Sequence, residues 1–372
     1  MLPLSLYIHI PWCLKKCPYC DFNSHAVKDK LPENRYVELL LADLARDVAR
    51  YQIDRPLHSI FIGGGTPSLF SPDALNKLLQ GVKTQIPFVE NIEITLEANP
   101  STFEFEKFAE FREIGINRLS IGVQSFNESL LQELGRVHSG KEAQSAAAMA
   151  HKVGFENFNL DLMFGLPKST LADSEHDIRT AMALQPTHIS FYQLTLEPNT
   201  YFYRYPPVLP SDELIFSTQQ HCQNLLAQSG YAQYEVSAYS LNGWQCQHNL
   251  NYWQFGDYLG IGAGAHGKIS LPSKMIRTQK HKHPERYENE FEIIENVIEQ
   301  AEIPLEFVMN QLRLKSGFSL SHYESATGLN VKTLEPALTN CLKAGLILQD
   351  NENYRCSKKG WDFLDRVLQE FI

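Results

Sequence analysis

The chain has 372 residues, 43% of them hydrophobic and 20% charged, the composition of a folded globular protein rather than a disordered one. Its formal charge of -10 excludes a surface built to neutralise phosphate backbones, so nucleic acid is not an expected partner. No apolar run reaches the roughly 18 residues that a membrane-spanning helix needs, and the N-terminus lacks the basic start and cleavage site of a signal peptide, so the expected location is the cytoplasm.

In chain order, residues 4–10 read as a strand. Further strands near 58–62, 92–97, 118–123, 157–163 and 188–194 alternate with helices. Val37, Leu40, Leu41, Leu44 and Val48 share one helical face, and Ser71-Pro72-Asp73 and Pro100-Ser101 mark helix starts. Six such units predict an α/β fold, a parallel sheet covered by helices, with residues 1–195 as its first part. Ligands of such sheets lie at the carboxyl ends of the strands. There the sequence places Cys13 to Cys20, Gly63 to Pro67, Glu97 to Pro100, Gln124 and Asp161.

Residues 196–300 change character. A Pro-rich aromatic stretch, Tyr201 to Pro210, precedes a helix near 211–229 and short strands through 270, which together read as an extension of the sheet with a lid. Residues 301–372 carry short helices, a hairpin from Gly345 and a final helix, a winged-helix-like α+β appendage. With eight Lys or Arg against nine Asp or Glu, this part reads as a packing or docking module rather than a DNA reader.

Seven cysteines occur, and Cys13, Cys17 and Cys20 fall within eight residues. Their Cys-x3-Cys-x2-Cys spacing on a loop lets three thiolates hold one iron-sulfur cluster, leaving one iron open to a small molecule unless Cys246 or another distant residue closes it. Structural zinc, with His248 as a fourth ligand, is the competing reading. Cys222, Cys341 and Cys356 read as core residues. Gly63-Gly64-Gly65-Thr66-Pro67 lets backbone approach a ligand closely, but it lacks the endings of a P-loop or a dinucleotide fingerprint.

These motifs resemble one known family almost end to end. Tyr7 through Asn23 around the cysteines, Gly-Gly-Gly-Thr-Pro-Ser at 63–68, Leu-Glu-Ala-Asn-Pro at 96–100, Ser-Ile-Gly-Val-Gln-Ser-Phe at 120–126 and Asn-Leu-Asp-Leu-Met-Phe-Gly-Leu-Pro at 159–167 are similar to radical S-adenosylmethionine (SAM) proteins related to oxygen-independent coproporphyrinogen III oxidase. Within that group the chain resembles the shorter, HemW-type heme chaperones. The resemblance implies a partial six-stranded (β/α)6 barrel and a [4Fe-4S] cluster on Cys13, Cys17 and Cys20. It places Tyr7 and Tyr19 beside cluster and SAM, and Gly64, Gly65 and Thr66 at the methionine amino group. It also implies that Glu97, Gln124, Arg136 and Asp161 contact one or two SAM molecules. Arg136 and Asp161 could instead form a structural ion pair. His248, Asn249, Tyr252 and Trp253 match the family's His-Asn-x-x-Tyr-Trp pattern, proposed there to bind heme.

True oxidases of the group carry an N-terminal extension and a further Cys two residues after the cluster motif. Here six residues precede Tyr7, and Phe22 stands at that Cys position. The expected function is therefore a carrier that binds heme and hands it to acceptor proteins such as respiratory enzymes. Peripheral contact with the inner face of the membrane and a homodimer are open options. The alternatives are SAM-radical oxidative decarboxylation of coproporphyrinogen III and a binding module that cluster and SAM only stabilise.

Overall fold

The computed structural model describes all residues except 1, 28, 29, 102, 103, 105, 291 and 292. The helix start expected at Pro100-Ser101 runs into residues outside this described set. All six expected strands are present: β1 (Leu4–Ile10), β2 (Leu57–Gly64), β3 (Phe88–Ala98), β4 (Arg118–Gln124), β5 (Asn157–Phe164) and β6 (His188–Gln193). They pair side by side, parallel and in chain order. The later strands β7 (Ala232–Glu235), β8 (Ala238–Ser240), β9 (Asp257–Ile261), β10 (His266–Leu271), β11 (Lys274–Lys280) and β12 (Ile293–Ile298) extend both flanks. Strand β9 adds a seventh parallel strand against β1, and β10 to β12 continue from it antiparallel. Strands β8 and β7 continue antiparallel from β6. The sheet thus ends in two edges, β12 and β7, and does not close.

The parallel strands alternate between two faces. Leu6, Ile8, Ile60, Ile62, Leu96, Ile121, Leu160 and Ile189 belong to the main apolar core, beneath the helices. Most of the intervening positions, Ser5, Ser59, Glu93, Arg118, Asn159 and His188 among them, are polar, buried and on the concave side, though Phe61 and Met163 in the same series are apolar. A sheet covered on both faces ordinarily reads apolar throughout. The departure shows that the concave side is built to meet polar groups.

Helix α1 (Glu33–Tyr51) lays Val37, Leu40 and Leu44 on the core, each fully buried, and losing one such leucine to alanine costs about 2–5 kcal/mol. It is also pinned by charge: Lys280 Nζ on β11 lies 2.6 Å from Asp43 and 2.8 Å from Asp47, all three buried. Helix α2 (Pro72–Gln85) starts as its sequence dictates, with Ser71 Oγ accepting from the Ala74 amide and Pro72 in the first turn. In helix α3 (Gly140–Lys152), Ser139 and Glu142 form a capping box, and Ala143, Ala146, Ala147 and Ala150 face the core.

Past β12, a helix (Ile303–Gln311), a short strand (Phe318–Ser319), two further helices (Leu320–Thr327 and Ala337–Lys343) and a hairpin (Ile347–Asp350 with Asn353–Cys356) follow. Their core around Phe307, Phe318, Tyr323 and Ile347 is continuous with Phe255, Met275 and Ile298, so this part is seated on the flank of the sheet. Cys222, Cys341 and Cys356 are buried core residues, as expected. No helix among the described residues is long and apolar enough to cross a membrane.

Candidate functional site

The cysteine loop is tied at its base. Trp12–Cys13 pairs with His25–Ala26, so residues 13 to 25 form a closed excursion beyond the carboxyl end of β1. The Cys20 amide donates to the Cys17 carbonyl at 3.2 Å, and the Phe202 amide to the Pro18 carbonyl at 3.0 Å, docking the loop on the aromatic stretch that begins at Tyr201. Cys13, Cys17 and Cys20 are half-buried and line one cavity of about 420 Å3. Burial pushes the Cys13 and Cys20 thiols up, so in the free chain they hold their protons.

The glycine loop after β2 is the floor of that excursion. Gly65 N–H donates to Ile10 and Thr66 N–H to Trp12, each at 2.7 Å. A Cβ on Gly65 would sit 2.5 Å from the Trp12 carbonyl oxygen, so no other residue fits without moving the start of the cysteine loop. Gly64, at φ +112°, donates at 2.9 Å to Glu97 Oε2. An ammonium group only donates, so what the loop can offer one is its carbonyl oxygens.

Glu97 ends β3 and reaches into the cavity. Burial, with the nearby Asp161 charge, pushes its carboxyl from 4.5 up to about 8, which the Gly64 amide only partly offsets. Asp161 accepts from Ser120 at 3.0 Å and Asn159 at 2.8 Å, and burial raises its pKa too. Arg136 places Nη1 3.6 Å from Cys17 Sγ and Nη2 2.8 Å from Asn99 Oδ1 and 2.7 Å from the Gly122 carbonyl. Its Nε is buried without a partner. Arg136 and Asp161 thus line the same cavity on separate partners, and the structural ion pair weighed from sequence is not formed. Gln124, at φ 69° beside a register shift between β4 and β5, turns its amide to accept from Tyr192 at 2.8 Å. Tyr19 lines the cavity with its ring 6.4 Å from Phe202. Asn99 falls in the Glu97 to Pro100 stretch expected at the ligand face, whereas Tyr192 was not singled out from sequence, although the alternation that exposes Glu97 and Asp161 applies equally to it.

A second cavity, of about 590 Å3, shares Cys20, Phe22, Gly64 and Glu97 with the first. Tyr7 and Tyr252 face this one, and Tyr7 donates to or accepts from His9 Nδ1 at 2.9 Å. The His-Asn-x-x-Tyr-Trp segment forms helix α4 (Gln247–Trp253), which contacts β1, β2 and β9 on their concave side. Glu93 accepts from the amides of Gln247 and His248 at 3.1 Å and from Cys246 Sγ at 3.5 Å. His248 is 1% exposed, with Nδ1 2.9 Å from Ser59 Oγ and Nε2 2.7 Å from the Tyr252 hydroxyl, and burial pushes its pKa down to about 3. Both ring nitrogens are engaged at the amino-end level of the strands, so His248 would have to give up a hydrogen bond to ligate iron. Asn249 lies half-buried on the same helix, and Trp253 packs under the Arg313 guanidinium, 4.2 Å from its ring. The segment therefore splits: His248 anchors, Tyr252 faces the cavity, and Trp253 fastens the C-terminal part.

The zinc reading loses its fourth ligand with His248. Among the described residues no three His, Cys, Asp or Glu side chains are placed to share one ion. A cubane asks something different, one thiolate per iron. Cys246, fully buried beside Glu93, is equally remote from the cysteine loop's cavity and cannot close the fourth iron. An orphaned guanidinium nitrogen, a carboxyl raised by burial and a cradle sealed by glycine surround the three cysteines. That donor set fits a cluster with a charged small molecule beside it.

A strand-by-strand arc of parallel sheet with this loop at its carboxyl ends defines a radical SAM protein. Residues 7–181 match the Radical SAM superfamily, and residues 298–363 match the HemN C-terminal domain. The chain is 48% identical over its whole length, and 98% of the relative's, to the heme chaperone HemW of Haemophilus influenzae. It is 46% identical, with the same coverage, to that of Escherichia coli. It belongs to the HemW family. The coproporphyrinogen III oxidase HemN of Escherichia coli shares the fold, with a TM-score of 0.83 at 22% identity over 100% of this chain and 90% of that one. Membership of the radical SAM superfamily implies a [4Fe-4S] cluster and SAM. When bound, they supply one-electron chemistry that the polypeptide lacks.

Proposed function

We propose that this protein is a heme carrier: it binds heme and passes it to acceptor proteins, with the cluster and SAM housed in the first cavity. The full-length likeness to proteins named heme chaperone HemW carries this reading. Cys13, Cys17 and Cys20 hold the cluster, and Tyr19 flanks it within the first cavity while Tyr7 does so from the second, which shares Cys20. The carbonyl oxygens of Gly64 and Gly65, with Thr66, take the SAM amino group, while Glu97, Gln124, Arg136 and Asp161 bind the rest of SAM. Residues 1–195, 196–300 and 301–372 act as barrel, extension and appendage. Heme is held near helix α4, where Tyr252 forms wall and His248, with Asn249 and Trp253, positions it. Respiratory enzymes are the proposed acceptors, reached at the membrane surface by a protein that works as a monomer or a homodimer.

The competing reading, decarboxylation of coproporphyrinogen III, predicts different products. Anaerobic incubation of cluster-reconstituted protein with SAM, a reductant and coproporphyrinogen III is expected to yield no protoporphyrinogen IX, while hemin titrates to one per chain. Catalytic formation of the decarboxylated product would overturn the carrier reading.

A further inference from the structure

Three histidines line the second cavity: His9, His25 and His266. They are not equivalent. His9 has both ring nitrogens engaged, by the Tyr7 hydroxyl at 2.9 Å and the Asn23 carbonyl at 2.8 Å. His25 turns its ring edge-on to His283, 5.5 Å away, and its Nε2, though without a hydrogen-bond partner, is sealed from solvent. His266, the first residue of β10, is exposed to the cavity and has no side-chain hydrogen bond or ion pair among the described residues.

The surroundings of His266 are specific in kind. Tyr252 and Tyr258 present paired rings, 4.3 Å between centroids and tilted by 59°, and Phe22 is 58% exposed. Lys16 and Lys282 line the same space; Lys16 Nζ donates to the Phe22 carbonyl at 3.1 Å and keeps its charge exposed. Asp21 is there too, along with Glu97, whose carboxyl burial pushes up to about 8. A volume of about 590 Å3 falls within the range of small-molecule sites, about 300–1,000 Å3. One exposed imidazole free of side-chain hydrogen bonds, aromatic faces and two ammonium groups together suit a flat apolar macrocycle that carries a metal and two carboxylates.

We propose that heme occupies this second cavity with His266 as its axial ligand, its ring against Tyr252, Tyr258 and Phe22, and its propionates on Lys16 and Lys282. The proposal deepens the heme-carrier reading and rests on it. His248 is then a positioning residue that holds the Tyr252 phenol from behind. Burial, Lys282 and Arg277 all lower the His266 pKa, so the neutral imidazole that binds iron prevails at neutral pH.

The test is hemin titration of full-length, cluster-reconstituted protein, followed in the Soret region after subtraction of the cluster spectrum. His266→Ala should shift the Soret maximum at saturation and weaken binding by roughly tenfold or more, a scale that loss of a ligand's hydrogen-bond partners alone can reach. Added imidazole should restore the wild-type spectrum. His248→Ala should weaken binding and leave the Soret position unchanged. His266 is exposed, so its substitution leaves the core intact, and His266→Gln checks this. If His266→Ala and wild type share affinity and spectrum, or if His248→Ala alone moves the Soret maximum, the assignment of the ligand is overturned while heme carriage stands. If the wild type binds no hemin in excess of an unrelated control protein, heme carriage itself fails.

Discussion

Glu97 sets function against stability in one side chain, and Glu97→Gln separates the two. Its carboxyl ionises near 8 in the fold against an ordinary 4.5. Because the folded value is the higher one, the fold carries no penalty below about pH 4.5, loses stability as pH rises toward 8, and loses no more above. Each pH unit is about 1.4 kcal/mol, so the interval from 4.5 to neutral pH amounts to about 3 kcal/mol, reduced to about 2 kcal/mol by water in the cavity that Glu97 lines. A glutamine side chain is nearly isosteric with the glutamate and its amide oxygen can still accept from Gly64, so in SAM-free protein Glu97→Gln should be more stable than wild type by about 2 kcal/mol near neutral pH. The advantage should vanish in acid. The same change should weaken SAM binding roughly 10–100-fold, since a hydrogen bond to a charged group contributes about 1.5–3 kcal/mol. Wild-type SAM affinity should itself rise from slightly acidic pH toward pH 8, as Glu97 ionises. Urea melts in acidic, neutral and mildly alkaline buffer, with the cluster state held constant, read the first effect and equilibrium dialysis the second. A substitution that destabilises equally at every pH would refute the reasoning, because it would show Glu97 to be an ordinary structural acceptor.

Other substitutions probe the loops and the frame. Cys17→Ser should abolish the broad iron-sulfur absorbance of anaerobically reconstituted protein; full iron and sulfide retention would remove Cys17 from the ligand set. Gly65→Ala drives a methyl group into the Trp12 backbone and should lower iron per chain while the far-ultraviolet spectrum stays native, whereas unchanged iron content would mean that the loop yields freely. Lys280→Ala leaves Asp43 and Asp47 buried and unpaired by Lys280 and should cost about 3–5 kcal/mol in chemical denaturation. A loss under about 1 kcal/mol would show the pocket to be hydrated.

The six strands and the cysteine loop were legible because each is specified locally, by apolar runs between turn residues and by ligand spacing. Strand β9 was not. Asp257-Tyr-Leu-Gly-Ile is short, and its role follows only from the free edge of β1 that it covers, through pairings such as Leu4 with Asp257 and Ile8 with Ile261. Its polar first residue is equally a tertiary matter, for Asp257 is fully buried and paired with Arg55 and with Lys268 at 3.2 Å. His248 shows the opposite limit, a residue whose partners are set by tertiary structure. Its type and aromatic neighbours suggest a ligand, yet Ser59, more than a hundred residues earlier, engages one of its nitrogens.

The alternation along the strands is what connects these cases. Reading every second residue of β1 to β6 gives Ser5, Tyr7, His9; Ser59, Phe61, Gly63; Glu93, Thr95, Glu97; Arg118, Ser120, Gly122; Asn159, Asp161; and His188, Ser190, Tyr192. The early members form a buried network beneath helix α4, with Ser5 to Ser59 at 2.7 Å, Ser59 to His248 at 2.9 Å and His188 to Asn159 at 2.7 Å. The late members, Glu97, Gly122, Asp161 and Tyr192, line the cavity with the cysteines. Polar groups bonded to one another at the first end rigidify the arc, and those at the other end open onto the cavity beside Arg136, whose Nε is buried without a partner. Because Cys20, Phe22 and Glu97 belong to both cavities, fixing the cysteine loop on a cluster also fixes one wall of the second space. A carrier built this way would hold heme more tightly with its cluster assembled than without it, and comparing hemin affinity before and after chelation of the iron measures that coupling directly. Equal affinities would mean that the shared wall is already rigid in the cluster-free chain.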